Sequence, residues 1–205
     1  METITLWSDY KIKDYTIPEW HTMDSCPHTE GIIIKEVPAN QVLWLMNIIG
    51  ETMADGPGIR NSVYCSGCHH ACPGCHNPET WVKEHGKIFM VKDVASLLTT
   101  DQYADVTFSG GDPMYQVDAF TELAILLKEA HKNIWMYTGF VYEDIIKDEH
   151  MKKILPYIDA LVDGPFIMAK RNTKLLFKGS ENQRILMLNH GIVQGTYEEY
   201  VKHQI

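Results

Sequence analysis

The feature that most restricts this chain is Cys68-His69-His70-Ala71-Cys72-Pro73-Gly74-Cys75, three thiols spaced C-x3-C-x2-C. Thiols this close in sequence cannot each occupy a core position, so they belong on a loop where they converge on one soft inorganic centre, as the cysteine runs of iron–sulfur proteins do. An apolar run from Ile59 to Cys65 and a Ser66-Gly67 turn lead into the loop, which places it at the end of a β-strand. A closed structural zinc site takes four ligands, and a cluster used only to carry electrons also has four thiolates as a rule. A cubane held by Cys68, Cys72 and Cys75 leaves one iron for a small molecule. Cys65 extends the pattern to C-x2-C-x3-C-x2-C, so four thiolates on zinc or on a fully ligated cluster stay open. Against that, zinc knuckles have a longer spacer between their halves, and Cys65 ends an apolar strand, where a free cysteine acts as a small hydrophobe. His69 and His70 read as exposed loop histidines.

The rest of the chain reads as alternating strands and helices. Val42–Ile49 is a buried strand and Asp55-Gly56-Pro57-Gly58 a turn; Ile59–Cys65 follows, then a polar connection through Gly86. Val91, Val94, Ala95 and Leu98 recur at helical spacing. Asp105–Phe108 is a strand that runs into Ser109-Gly110-Gly111-Asp112-Pro113, and a helix follows with Val117, Phe120, Leu123, Ala124, Leu127 and Ala130 on one face. Ile134–Tyr137 is a strand ending at Thr138-Gly139. A helical segment from Tyr142 to about Leu155 leads to a strand from Ile158 to Val162, which ends at Asp163-Gly164-Pro165; Gln183–Leu188 is the last strand and Thr196–Lys202 a closing helix. Such alternation predicts parallel strands with right-handed crossovers. Four chemically distinctive strand ends then meet on one edge, where α/β proteins bind ligands. The expectation is an α/β fold, an open partial (β/α) barrel of about five or six mostly parallel strands, too few for a full eight-stranded one.

The cysteine loop, with Asp55-Gly56-Pro57-Gly58-Ile59-Arg60 before it and Cys75-His76-Asn77-Pro78 closing it, resembles the cluster motif of the radical S-adenosylmethionine enzymes, in their glycyl-radical-activating branch. The resemblance covers roughly Val42 to Ile185 and implies the same radical-SAM-type partial barrel. It implies a 4Fe-4S cluster on Cys68, Cys72 and Cys75 and S-adenosylmethionine chelating the fourth iron through its amino and carboxylate groups. In the family, the backbone around Gly74 and His76 faces the adenine; Gly74 supplies no ring for stacking. Ser109, Gly110, Gly111 and Asp112 match the glycine-rich motif that receives the methionine end, with carbonyls approaching the amino group where no Cβ intervenes; a plain tight turn is the other reading. Tyr137, Thr138 and Gly139 match a strand end that contacts the ribose or carboxylate, although a core aromatic accounts for Tyr137 nearly as well. Asp163 is either a turn cap or part of the site, and Arg184 either meets a cofactor carboxylate or stands at a strand entrance.

Aspartate at 112 and the string Phe177-Lys178-Gly179-Ser180-Glu181-Asn182-Gln183-Arg184-Ile185 lean toward the members that act on anaerobic ribonucleotide reductase. The implied reaction is reductive cleavage of the sulfonium, followed by hydrogen abstraction from a glycine Cα. The implied partners are the large glycyl-radical subunit of that reductase and a low-potential electron donor of flavodoxin or ferredoxin type. An activase for a pyruvate formate-lyase type enzyme and a non-catalytic iron–sulfur or zinc module stay open.

At 205 residues the chain has room for one domain, expected over 41–205 behind an N-terminal extension, 1–40, in which Ile32–Ile34 forms a short strand and Cys26 a surface thiol. A net charge of −9 disfavours nucleic acid as partner. No apolar run of membrane-spanning length and no signal-peptide core occur, so the expected place is a reducing cytoplasm, where five cysteines bind metal rather than pair.

Overall fold

A computed structural model describes residues 38–202; the expected strand at Ile32–Ile34, Cys26 and nearly all of the proposed extension 1–40 lie outside the described residues. The elements in chain order are β1 (Val42–Thr52), β2 (Arg60–Cys65), β3 (Lys87–Met90), α1 (Val91–Thr100), β4 (Asp105–Gly110), α2 (Val117–Glu129), β5 (Ile134–Tyr137), α3 (Tyr142–Ile145), β6 (Ala160–Asp163), β7 (Arg184–Asn189), β8 (Ile192–Thr196) and α4 (Tyr197–Lys202). The strands form one mixed sheet in the order β3-β1-β2-β4-β5-β6-β7-β8.

The parallel part is the centre. β2 pairs with β4, β4 with β5 and β5 with β6 in parallel, so these four strands end on the same edge. Both flanks are antiparallel: β1 pairs with β2 and β3, and β7 with β6 and β8. The expectation of five or six mostly parallel strands is therefore corrected to eight strands, with antiparallel pairings in the majority. The helical crossovers that enforce parallel order occur only between β2 and β6. Outside that stretch, short turns give the antiparallel β1-β2 and β7-β8 pairs, and the long connection over 164–183, which holds no α-helix, returns β7 antiparallel to β6.

Two strands escape the periodicity argument. β3 is four residues long and runs directly into α1, so its pattern merges with the helix. β8 follows β7 through His190-Gly191, whose φ values of 49° and 79° are those of a two-residue hairpin turn with both central residues left-handed. The helix expected from Tyr142 to Leu155 is also shorter. α3 stops at Ile145, and the carboxylate of Asp148 accepts the backbone N–H groups of His150 and Met151 at 2.8 and 2.9 Å, starting a new turn. A 3-10 segment, Met151–Tyr157, completes the connection and contains Pro156.

Strand pleating sorts the side chains onto two faces. Val63, Cys65, Val106, Phe108, Ile134 and Met136 join α1 and α2 in the main apolar cluster. Their alternates, Arg60, Ser62, Tyr64, Thr107, Ser109, Trp135 and Tyr137, lie on the other face, which is polar and aromatic rather than aliphatic. Arg60 is 1% exposed on that face. Its Nε donates to Thr107 Oγ1 at 2.7 Å, and its terminal nitrogens donate to the carbonyls of Val106 (2.7 Å), Asn133 (3.1 Å) and Pro57 (3.2 Å). The guanidinium lies 5.5 Å from the Trp135 ring centroid. Burial pulls its pKa down to about 10, opposed by the carboxylate of Asp105. In the motif Gly56-Pro57-Gly58-Ile59-Arg60, then, the arginine ties β2 to β4 and to the start of β5, at the edge away from the cysteine loop.

Replacing Arg60 with alanine leaves several buried carbonyls without donors. The expected cost is about 3 kcal/mol, read as a lower urea midpoint at unchanged m value. Arg60→Lys, which carries a single point of donation, is expected to recover only part of that loss.

Candidate functional site

The cysteine loop leaves the end of β2, and its base is fixed from three sides by main-chain hydrogen bonds. Gly111 N donates to Cys65 O at 2.7 Å and Asp112 N to Gly67 O at 3.0 Å, joining the base to the end of β4. Gly67 N donates to Thr80 O at 2.7 Å and Cys68 N to Trp81 O at 3.1 Å, joining it to the 3-10 turn Pro78–Trp81. Ser66 N donates to Trp44 O on β1 at 3.0 Å. Gln116, which is buried, seals this corner: its amide donates to Ser66 O at 2.8 Å and Trp44 O at 2.9 Å and accepts from Trp44 N at 2.8 Å. The sequence gives no sign of Gln116, because a glutamine at the start of a helix carries no pattern of its own.

The tightness of this junction accounts for Gly110 and Gly111. A Cβ on Gly110 would lie 2.3 Å from Cys65 N and 2.5 Å from Cys65 O, and one on Gly111 would lie 2.5 Å from Gly67 O. These are backbone atoms that cannot move aside. The glycines are thus required by the approach of β4 to the cysteine loop, in addition to whatever they admit on the cavity side.

At the shared strand edge lies a cavity of about 530 Å³, inside the range of small-molecule and cofactor sites. Cys68, Cys72 and Cys75 line it, as do Gly74, His76, Ser109, Gly110, Gly111, Tyr137, Thr138 and Gly139. All the expected cluster ligands and all the expected cofactor contacts but one are therefore together. The exception is Asp112, which does not line the cavity, is 1% exposed, and spends its carboxylate on protein donors. Asp163 and Arg184 are also absent from the lining. Asp163 is fully buried, accepts Tyr142 N at 2.8 Å at the start of α3, and pairs with Arg184, which also pairs with Glu143. The turn-cap and strand-entrance readings describe these two.

Cys65 follows from pleat parity. Tyr64 faces the cavity, so Cys65 faces the helices; it is fully buried in the apolar cluster and is not part of the lining. Burial holds its thiol well above the ordinary range. Burial also pushes the Cys68 thiol up to about 11, with the carboxylate of Asp112 and the two neighbouring thiols acting in the same direction. A thiolate here needs a positive centre beside it. Among the described residues, no three His, Cys, Asp or Glu side chains already stand close enough to hold one ion. Three thiols on one cavity wall are a soft donor set of the kind that holds iron–sulfur groups, so the residues present fit such a group.

His69 is exposed, as expected, whereas His70 is not: its side chain is 18% exposed and its Nε2 lies 2.7 Å from Asp112 Oδ2. Sequence reasoning also passed over Asp55 and Tyr64, whose carboxylate and hydroxyl hydrogen-bond to each other on the cavity wall, and over Trp81, Phe166 and Lys178. Asp55 stands in the quoted glycine-proline motif and Lys178 in the quoted string Phe177–Ile185, both usable signals; Tyr64 and Trp81 carry none. Tyr137 lines the cavity and answers to its core-aromatic reading, since its ring packs against the Trp135 cluster while its hydroxyl donates to Phe177 O at 2.8 Å.

The family described as a 4Fe-4S single cluster domain matches residues 54–186. The chain is 35% identical to the anaerobic ribonucleoside-triphosphate reductase-activating protein of Enterobacteria phage T4 over 147 residues, covering 67% of this chain and 90% of that protein. The protein of the same name from Haemophilus influenzae is 34% identical over 140 residues, 64% of this chain and 89% of its own length. That from Escherichia coli K12 is 29% identical over 141 residues, with 64% and 90% covered. The matched stretch holds the whole cavity edge, from Asp55 through the three thiols to Gln183, and the chain belongs to the family of anaerobic ribonucleoside-triphosphate reductase-activating proteins, with a 4Fe-4S single cluster domain at its centre.

Proposed function

We propose that this chain is a radical S-adenosylmethionine activase that installs a glycyl radical on the large subunit of anaerobic ribonucleotide reductase. The observation that carries the reading is the common wall: among the described residues three cysteines, Cys68, Cys72 and Cys75, open onto the cavity that Ser109–Gly111 and Tyr137–Gly139 also line. In this reading Cys68, Cys72 and Cys75 hold the cluster. The Ser109–Gly111 backbone takes the methionine end of the cofactor, Tyr137, Thr138 and Gly139 the ribose or carboxylate, and Gly74 and His76 the adenine. The polar and aromatic face of the sheet becomes the inside of an open partial barrel, and residues 41–205 form one domain behind an extension.

When bound, the cluster and S-adenosylmethionine supply the chemistry: one electron breaks the sulfonium carbon–sulfur bond, and the adenosyl fragment leaves as 5′-deoxyadenosine after taking a hydrogen atom from a glycine Cα of the reductase. The chain's own part is placement. The cavity wall has to hold the cofactor within about 3–3.5 Å of the target hydrogen, which favours a rigid strand edge over a mobile loop. In this reading the electron comes from a separate low-potential donor of flavodoxin or ferredoxin type. No helix among the described residues is long and apolar enough to cross a membrane, and in this reading the chain works in the cytoplasm.

Anaerobic reconstitution is expected to give about four irons per chain in the wild type and in Cys65→Ala. Cys68→Ala, Cys72→Ala and Cys75→Ala are each expected to lose most of that iron. Bound zinc, or loss of the cluster in Cys65→Ala, would instead favour a module without catalysis.

On reduction with S-adenosylmethionine present, the loaded protein is expected to release 5′-deoxyadenosine. Added to the large reductase subunit, it is expected to produce a glycyl radical doublet in electron paramagnetic resonance, and to produce none on a pyruvate formate-lyase. A doublet on the lyase alone would reassign the partner.

A further inference from the structure

The side chain that joins the cysteine loop to the parallel strand ends is the one site residue that does not face the cavity. Asp112 Oδ1 accepts Met114 N at 3.0 Å. Its Oδ2 accepts Thr138 Oγ1 and Gly139 N, both at 2.9 Å, and lies 2.7 Å from His70 Nε2. An ionised carboxylate only accepts, so the hydrogen on this contact belongs to His70. With four donors converging on it and 1% exposure, the carboxylate has little left to offer a ligand.

His70 stands midway between Cys68 and Cys72. Its ring is held edge-on by Phe140 at 4.6 Å and by Tyr115 at 5.7 Å between centroids. Gly139 makes room for it: a Cβ there would fall 2.5 Å from His70 Cδ2 and 2.6 Å from Nε2. Glycine at 139 is thus explained by the passage of the imidazole to Asp112. A glutamate at 112 would carry the carboxylate one methylene farther and break the set of contacts to Thr138, Gly139 and His70.

We propose that Asp112, acting through His70, is a positioning residue for the iron–sulfur cluster. The hydrogen bond fixes the middle of the C-x3-C segment against the ends of β4 and β5, and so sets the directions from which Cys68 and Cys72 present their sulfurs. This rests on the reading of those thiols as cluster ligands. It assigns Asp112 a task on the loop instead of a direct contact with S-adenosylmethionine.

The test uses the full chain, reconstituted without oxygen and without S-adenosylmethionine, and follows the rate at which a chelator removes iron. Asp112→Asn, which places an amide among donors, and His70→Ala are each expected to lose iron about tenfold faster than the wild type. The double variant is expected to be no faster than either single one, because both remove the same hydrogen bond. His70→Gln, whose amide can still donate to Asp112, is expected to recover most of the retention. Wild-type rates in both single variants would overturn the proposal, as would effects that multiply in the double variant. So would an Asp112→Asn protein with a wild-type iron-loss rate but weaker S-adenosylmethionine binding. If Asp112→Asn does not fold, judged by circular dichroism, the comparison of His70→Ala with His70→Gln decides alone, and equal rates in the two overturn the proposal. Failure of the wild type to take up a cluster would strike the cofactor reading itself, a result distinct from any of these.

Discussion

The site depends on one pairing, the parallel ladder between β2 and β4. Its register runs unbroken from Arg60 opposite Asp105 to Cys65 opposite Gly110. Both strands therefore end level, and the cysteine loop and the glycine loop emerge side by side. Parallel strands require a long crossover, here supplied by the cysteine loop itself, β3 and α1. The segment that carries the thiols is thus also the first part of the connection that makes the pairing parallel. Moving β2 by one residue would invert all of its side chains, turning Tyr64 into the core and Cys65 into the cavity.

That parity decides which thiols can act together. Cys65 and Cys68 are close in sequence, yet the last pleat of β2 sends Cys65 to the helices, while the chain beyond Ser66-Gly67 is free to turn the other three thiols toward the cavity. At the opposite end of the same strand, Arg60 satisfies carbonyls of neighbouring strands from within the polar face. Its buried guanidinium and the packed base of the cysteine loop bracket β2, so the short strand is held at both ends by contacts outside its own ladder.

Much of this was legible in the sequence because it depends on periodicity and on residue types that have few other uses. Three cysteines in eight residues, paired glycines after a strand and two helical faces named the elements of the parallel centre and the members of the cavity wall. What stayed hidden depends on contacts between distant residues. His70 reads as a solvent-facing loop residue until Asp112, Phe140 and Gly139 are placed around it. Gln116 matters through Trp44 and Ser66, each at least fifty positions away. The edge strands stay hidden for different reasons: β3 for its brevity, and β8 because His190-Gly191 lacks the Asn-Gly or Asp-Gly signature of a two-residue hairpin turn. α3 was overextended because the apolar spacing continues past Asp148, whose side chain restarts the turn.

The contacts also separate what is fixed in the loop from what the thiols must do. Its base is held by backbone hydrogen bonds at Ser66, Gly67 and Cys68, none of which needs a metal. The thiols occupy the part between, where burial and a nearby carboxylate hold Cys68 in its protonated form. In the proposed reading ligation needs thiolates, so loading a cluster must release the Cys68 proton, and the ligand bond must supply the stabilisation that the surrounding protein withholds from that thiolate. Burial that disfavours the Cys68 thiolate keeps that thiol chemically quiet, since the thiolate is the reactive form. As a proposed ligand, Cys68 then relies on geometry, because its burial does not favour the anion. A loop with a rigid base and an internally braced midpoint is a physical answer to that requirement.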